Sequence, residues 1–162
     1  MALPLLGSDL NYQARRFSKR RIPVSVMKQI TRQLLEGLRF LHETCEVIHT
    51  ALPRWPVMEF VKGHVAFLGA ASEGRWSSED DHLAQHMEVL GRMPSRLKFA
   101  VPRLKVTNLA DFVDGKEGPF QRPDDMTSED ALRFVDFLRG ALQLDPDERK
   151  TAGELLQHEW LR

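Results

Sequence analysis

Between Val24 and Leu41 mainly apolar positions and polar positions alternate with the period of an α-helix. Large apolar side chains recur every three or four residues and charged residues fill the positions between them, so one broad face faces a core. Pro23 precedes the stretch, at a place where its missing N–H costs nothing, so we predict that a long helix begins here. Its inward face consists of Val24, Met27, Ile30, Thr31, Leu34, Leu35, Leu38 and Leu41.

A second helix is predicted to run from about Ser78 to about Leu90. Ser77 or Ser78 can cap it, and the three acidic residues that follow meet the positive end of the helix dipole. The same periodicity places Leu83, Met87 and Leu90 on its inner face.

Two more helices are predicted near the end of the chain, each opened by a capping-box signature. The first signature is Thr127–Asp130, and the helix that it starts ends before Asp145-Pro146-Asp147. The second is Thr151–Glu154, which opens a short helix ending near Trp160. The inner face of the longer helix is predicted to hold Leu132, Val135, Leu138 and Leu142, with Phe134 and Phe137 beside them.

A small β-hairpin is predicted between these helical regions. Two short β-prone runs, Val57–Phe60 and His64–Leu68, are separated by Val61-Lys62-Gly63. The segment Gly91–Pro123 contains several prolines and is predicted to be mostly loop, with a short helix at Asn108–Val113. The fold class predicted by these patterns is mainly α.

Composition narrows the choice of partners. The 162 residues contain 23 lysines and arginines against 23 aspartates and glutamates, so no global field attracts nucleic acid or anionic lipid. We therefore expect no membrane partner, and nucleic acid only through a local patch. One such patch is Arg15–Arg21, which the sequence allows to be a solvated linker, a nuclear import signal or a phosphate-binding cluster.

The single cysteine and the lack of an apolar spanning run indicate the compartment. Cys45 has no intrachain partner, so it fits a reducing environment, where we expect it to be a small buried hydrophobe. No apolar run approaches the roughly 20 residues that a bilayer requires, and Met1–Leu10 lacks the basic region of a leader. We expect a soluble intracellular protein, cytoplasmic or nuclear.

Two motifs closely resemble the C-lobe of the SR-protein kinases, a family of eukaryotic serine/threonine kinases. That family carries His-Thr-Asp in its catalytic loop, and this chain has His49-Thr50-Ala51 after an apolar pair. The family's metal-binding Asp-Leu-Gly is matched by Phe67-Leu68-Gly69. Two later segments fit as well, because Arg75–Gly91 resembles the G-helix region and Phe137–Leu161 resembles the closing helices of kinase domains.

The resemblance implies one partial kinase-like domain over residues 1–162. In it, residues 22–69 hold the E helix, the degenerate catalytic loop and the metal motif, and residues 75–162 run from the G helix to the last helices. Residues 1–10 resemble a hinge stub. The N-lobe, the activation segment and the F helix have no counterpart. The hinge remnant, which would be all that is left of a nucleotide site, is Leu5, Leu6 and Gly7.

At the catalytic positions the chain departs from the family. Ala51 stands where the family has the aspartate that accepts the proton of the substrate hydroxyl, and a methyl group cannot do this. Phe67 replaces the metal-binding aspartate, while Gly69 and His49 are kept, His49 in an expected structural role. Arg149 matches an arginine whose glutamate partner is absent. The resemblance therefore implies no intact catalytic residue, no metal site, and no use of the ATP and magnesium that serve the family.

Two interpretations of function stay open. In the first, the chain is an inactive kinase-like fragment that binds a protein partner. The partner would cover the face of Val24–Leu41 against which the F helix packs in kinases. In the second, it is an ATP-dependent SR-type kinase whose gene model is incomplete. A metal site at His82 and His86, one helical turn apart beside Asp81, lacks a third ligand that the sequence can place. A marginally stable, mostly helical domain is expected.

Overall fold

The computed structural model describes residues 9–47, 56–64, 66–67, 69–73, 76–91, 93–94, 104, 107–118 and 120–162. Within these residues the chain is mainly helical, as predicted. The helices are α1 (Leu10–Ala14), α2 (Val24–Arg39), α3 (Pro56–Lys62), α4 (Ser78–Leu90), α5 (Leu109–Asp114), α6 (Ser128–Leu142) and α7 (Ala152–Leu156). Short 3₁₀ turns occur at Ser18–Arg20 and Glu159–Leu161, and a π-helical turn at Phe40–Thr44 follows α2.

The predicted long helix is confirmed as α2, which ends two residues earlier than expected and continues into the π-helical turn. The backbone N–H of Val24 donates to Asp125 Oδ2 at 2.7 Å, which satisfies one of the unpaired donors of the first turn. Lys28 forms a salt bridge of 2.9 Å with Asp130 at the start of α6. Helix α2 packs against α3, α7 and the last 3₁₀ turn, and its buried residues are Val24, Met27, Thr31 and Leu35.

The predicted helix starts at α4, α6 and α7 are confirmed by their caps. Ser77 and Asp80 form a full capping box at α4, and Thr151 and Glu154 form another at α7. At α6 the Thr127 side chain accepts from the Asp130 N–H at 3.1 Å. These local contacts explain why the starts of the three helices could be predicted from short motifs.

The core is centred on α6 and the final 3₁₀ turn. The Trp160 ring lies 4.5 Å from the ring of Phe134 and 4.8 Å from that of Phe137, centroid to centroid, and all three are buried. Leu132 was predicted to face this core, and that prediction is wrong, because its side chain is 68% exposed. Leu132 lies about 200° around the helix from Phe134, at about 100° per residue, so it points to the opposite side.

The predicted hairpin is wrong as well, because Val57–Phe60 lies inside helix α3. Pro56 occupies the first helical position, where proline is favoured, and Met58 and Val61 are both fully buried on one face of the helix. Packing against α2 overrides the β propensity of the valines. Gly63 ends the helix with φ +76°, and its N–H donates to Glu59 O at 2.7 Å.

Candidate functional site

Phe67, which the motif resemblance aligns with a metal-binding aspartate, lies in a cluster of aromatic rings. It is 5% exposed, stacks on Phe112 at 5.7 Å and meets the edge of His86 at 4.6 Å between ring centroids. His82 and Phe120 complete what we call the aromatic cluster, at 6.3 Å from Phe67 and 5.2 Å from Phe112 respectively. The position that the resemblance aligns with a metal ligand is here an apolar contact between the segment after α3 and helices α4 and α5.

Gly69, the second residue of this motif that the structure describes, forms a tight turn against α4. Its φ is +61°, and a Cβ there would lie 2.5 Å from the backbone oxygen of Ser78. Both features require glycine. The next residue is held by Asp81, whose Oδ2 accepts from the Ala70 N–H at 2.8 Å. The glycine of the motif therefore allows the backbone to pass close to the first turn of α4.

The remaining predicted site residues lie outside the described residues. These are His49 and Ala51 of the catalytic loop, and Leu5, Leu6 and Gly7 of the hinge remnant. Arg149, by contrast, is described, and its Nε donates to Gln143 O at 2.8 Å. This backbone carbonyl at the end of α6 is a partner that the sequence did not indicate.

The histidine pair belongs to the aromatic cluster. The rings of His82 and His86 are 4.3 Å apart between centroids, and both pack against Phe67. In the described part of the chain, no three histidine, cysteine, aspartate or glutamate side chains lie close enough together to hold a metal ion. Burial lowers the pKa of His86 to about 4, with a smaller contribution from His82, so His86 is neutral at physiological pH.

This neutral histidine predicts a loss of stability in acid. His86 has a pKa of about 4 in the folded protein against 6.5 ordinarily, so the unfolded chain binds the proton more tightly. The free energy of unfolding should therefore be highest above pH 6.5 and fall as the pH drops towards 4. Urea unfolding across this range measures the effect. The variant His86→Gln should show a flatter profile; an unchanged slope would contradict the assignment.

Lys62 is a buried residue whose position the sequence did not indicate. It is 2% exposed, and its ammonium group donates to the backbone oxygens of Val113, Phe120 and Gln121, each at 2.7 Å. Burial lowers its pKa to about 8, with a further contribution from Arg21, while Asp114 acts in the opposite direction. Lys62 thus fastens the end of α3 to the loop after α5. The three carbonyl acceptors are brought together by tertiary folding, so no local sequence pattern could predict this site.

The C-terminal half of α2 borders two adjoining hollows. The first, which we call the apolar cavity, has a volume of about 80 Å³ and is walled mainly by aliphatic side chains of α2, α6 and α7. Thr31 and His42 also line it, and their Oγ1 and Nε2 atoms are buried without a hydrogen-bond partner. Its mouth is marked by Leu34, which is 39% exposed.

The second hollow, which we call the basic cleft, has a volume of about 250 Å³ and shares His42, Lys150 and Ala152 with the apolar cavity. Arg39, Arg149 and Lys150 line it, against Glu43 as the one carboxylate of the lining. Within the described residues none of these three cations forms a salt bridge with a carboxylate. The two hollows together place an apolar pocket next to a positively charged one.

Two expectations about the cellular environment concern Cys45 and membrane-spanning helices. Cys45 was expected to be buried, but it is exposed at the end of the π-helical turn, where the chain leaves the core. In the described part of the chain no helix has the length and apolar character required to cross a membrane.

Known proteins similar to this chain are protein kinases. Serine/threonine-protein kinase SKY1 of Saccharomyces cerevisiae is 32% identical over 65% of this chain and 15% of its own length. Protein kinase dsk1 of Schizosaccharomyces pombe is 40% identical over 32% of this chain and 10% of its own. Cyclin-dependent kinase 11.2 of Caenorhabditis elegans is 31% identical over 51% of this chain and 12% of its own. No protein-family model matches the chain.

These similarities relate the chain to the serine/threonine protein kinases. They bear out the kinase relationship that the sequence motifs predicted, and the relatives include SR-type kinases. The chain spans only 15%, 10% and 12% of the lengths of these three relatives. Its mainly helical fold is compatible with a fragment of a kinase C-lobe.

Proposed function

We propose that this chain is a kinase-like fragment without phosphotransfer activity, which acts by binding a protein partner through α2. The observation that carries the first half is the burial of Phe67 in the aromatic cluster, at the position that the motif resemblance aligns with a metal-binding aspartate. Metal ions neutralise the charge that develops on the transferred phosphoryl group. An apolar ring packed against two other elements offers neither a ligand nor space for the ion.

The second half of the proposal rests on α2. Val24, Met27, Thr31 and Leu35 are buried on this helix, whereas Leu34 is 39% exposed and Leu38 is partly buried at the apolar cavity. A leucine exposed beside an apolar cavity offers a place where an apolar side chain of a partner can be removed from water. We place the protein inside the cell, in the cytoplasm or the nucleus, in line with its kinase relatives and its exposed thiol.

The first half is tested by a phosphotransfer assay. The purified chain, given ATP, magnesium and a Ser/Arg-repeat peptide, should transfer no phosphate above a buffer control. The variant Ala51→Asp should not restore activity, because a general base without a metal site leaves the developing charge unneutralised. Turnover that increases with Ala51→Asp would overturn this half and favour the alternative, an ATP-dependent SR-type kinase.

A further inference from the structure

The apolar cavity and the basic cleft adjoin at His42, Lys150 and Ala152, and we call the two together the groove. We propose that the groove takes an acidic amphipathic peptide segment of a partner protein, with a large apolar side chain in the cavity and carboxylates on the cleft. This deepens the proposed function, on which it rests, by naming the chemical class of the partner.

The cavity suits a branched aliphatic side chain. Its volume of about 80 Å³ is several times the roughly 10–15 Å³ of the same kind that one water molecule needs. Leu34, Leu35 and Leu38 form one wall of it. An apolar side chain that enters leaves water for an apolar lining, which is favourable in proportion to the area buried.

The cations that line the basic cleft indicate the charge of the ligand. Arg39 and Lys150 are exposed, and Arg149 is fixed by its bond from Nε to Gln143 O at 2.8 Å. With Glu43 as the only opposing charge in the lining, the cleft is positive and complements carboxylates. A basic peptide would meet repulsion here.

Two polar atoms favour a peptide over a pure hydrocarbon. Thr31 is 2% exposed, and neither its Oγ1 nor Nε2 of His42 has a hydrogen-bond partner among the described residues. A buried hydroxyl without a partner costs free energy. The backbone carbonyl of a bound peptide, or a water that it carries in, can accept from Thr31.

The test uses two labelled peptides of about 14 residues, four helical turns, with identical leucines spaced four apart. One carries glutamates around the leucines and the other carries lysines. Fluorescence anisotropy should show binding of the glutamate peptide, weakened by salt, and binding of the lysine peptide weaker by about ten-fold or more. Equal binding of the two, or no binding of the glutamate peptide, would overturn the proposal.

Variants separate the groove from the rest of the surface. Arg39→Glu combined with Lys150→Glu, and separately Leu34→Glu, should each weaken binding of the glutamate peptide by about ten-fold. Lys116→Glu and Leu132→Glu are the matched controls, at exposed sites outside the groove, and should bind as the parent protein does. Melting temperatures verify that each variant is folded.

The outcomes also distinguish this proposal from the proposed function. Suppose that Leu34→Glu abolishes binding, that the cleft variant binds as tightly as the parent protein, and that the lysine peptide binds as tightly as the glutamate peptide. The α2 surface then binds proteins, but the acidic preference is wrong. If sedimentation shows a dimer that Leu34→Glu dissociates, the groove binds a second copy of the chain and the partner assigned here is wrong. Neither result bears on the phosphotransfer assay, which judges the absence of activity by itself.

Discussion

Replacing Phe67 by aspartate, which restores the family's residue at the metal motif, should destabilise the protein rather than repair it. The Phe67 ring is 5% exposed and touches rings from α4 and α5. Removing a buried phenylalanine costs about 3–5 kcal/mol, and an ionised carboxylate in its place adds the cost of burying a charge. Typical total stability is about 5–15 kcal/mol, so a large part of the population should unfold.

Circular dichroism during urea unfolding measures this loss. Phe40→Asp is the matched control, since the same substitution is made at a side chain that is 58% exposed on the π-helical turn, and it should change stability little. A titration with magnesium adds a second reading. Recovery of the Phe67→Asp variant by magnesium alone would reveal a latent metal site and would contradict the proposed function.

The long helices could be predicted because their signals are local. The period of apolar residues in α2 and the capping residues Ser77, Thr127 and Thr151 are written in short stretches of sequence. Each depends on contacts within one or two helical turns. For this reason the helix starts agree with the structure almost to the residue.

The failures have the opposite origin. Helix α3 was mistaken for a strand because its valines favour strands locally, whereas packing of Met58 and Val61 decides the outcome. Leu132 was assigned to one inner face with Val135, Leu138 and Leu142; those three are buried, but the buried face is centred away from Leu132, which is 68% exposed. In both cases the deciding contacts come from elements distant in sequence.

The candidate site also has a part that the sequence could predict and a part that depends on tertiary contacts. Comparison of motifs showed which positions lack catalytic side chains, Phe67 among them, since that depends on residue type alone. It did not show that Phe67 would join His82, His86 and Phe112 in one cluster, which requires α4 and α5 to meet. The groove beside α2 was foreseen only as an uncovered face; its cationic rim comes from Arg149 and Lys150, far along the chain.

The buried lysine gives the second large effect. Replacing Lys62 by methionine keeps the length of the side chain but removes the donor that three backbone oxygens share at 2.7 Å. A buried acceptor without a partner costs about 1–3 kcal/mol, whereas methionine avoids the cost of burying an ammonium group, seen in the lowered pKa of Lys62. We expect a net loss of about 2–4 kcal/mol in the free energy of unfolding at neutral pH.

The change should be local before it is global, because Lys62 holds the loop that follows α5. Gly115 N–H donates to Phe120 O at 2.9 Å across that loop, so hydrogen exchange at this amide should accelerate in Lys62→Met under native conditions. Lys116→Met, at an exposed lysine on the same loop, is the control and should exchange as the parent does. If both variants unfold within about 0.5 kcal/mol of each other, water satisfies the three oxygens and the ammonium group is not the fastening that holds α3 to α5.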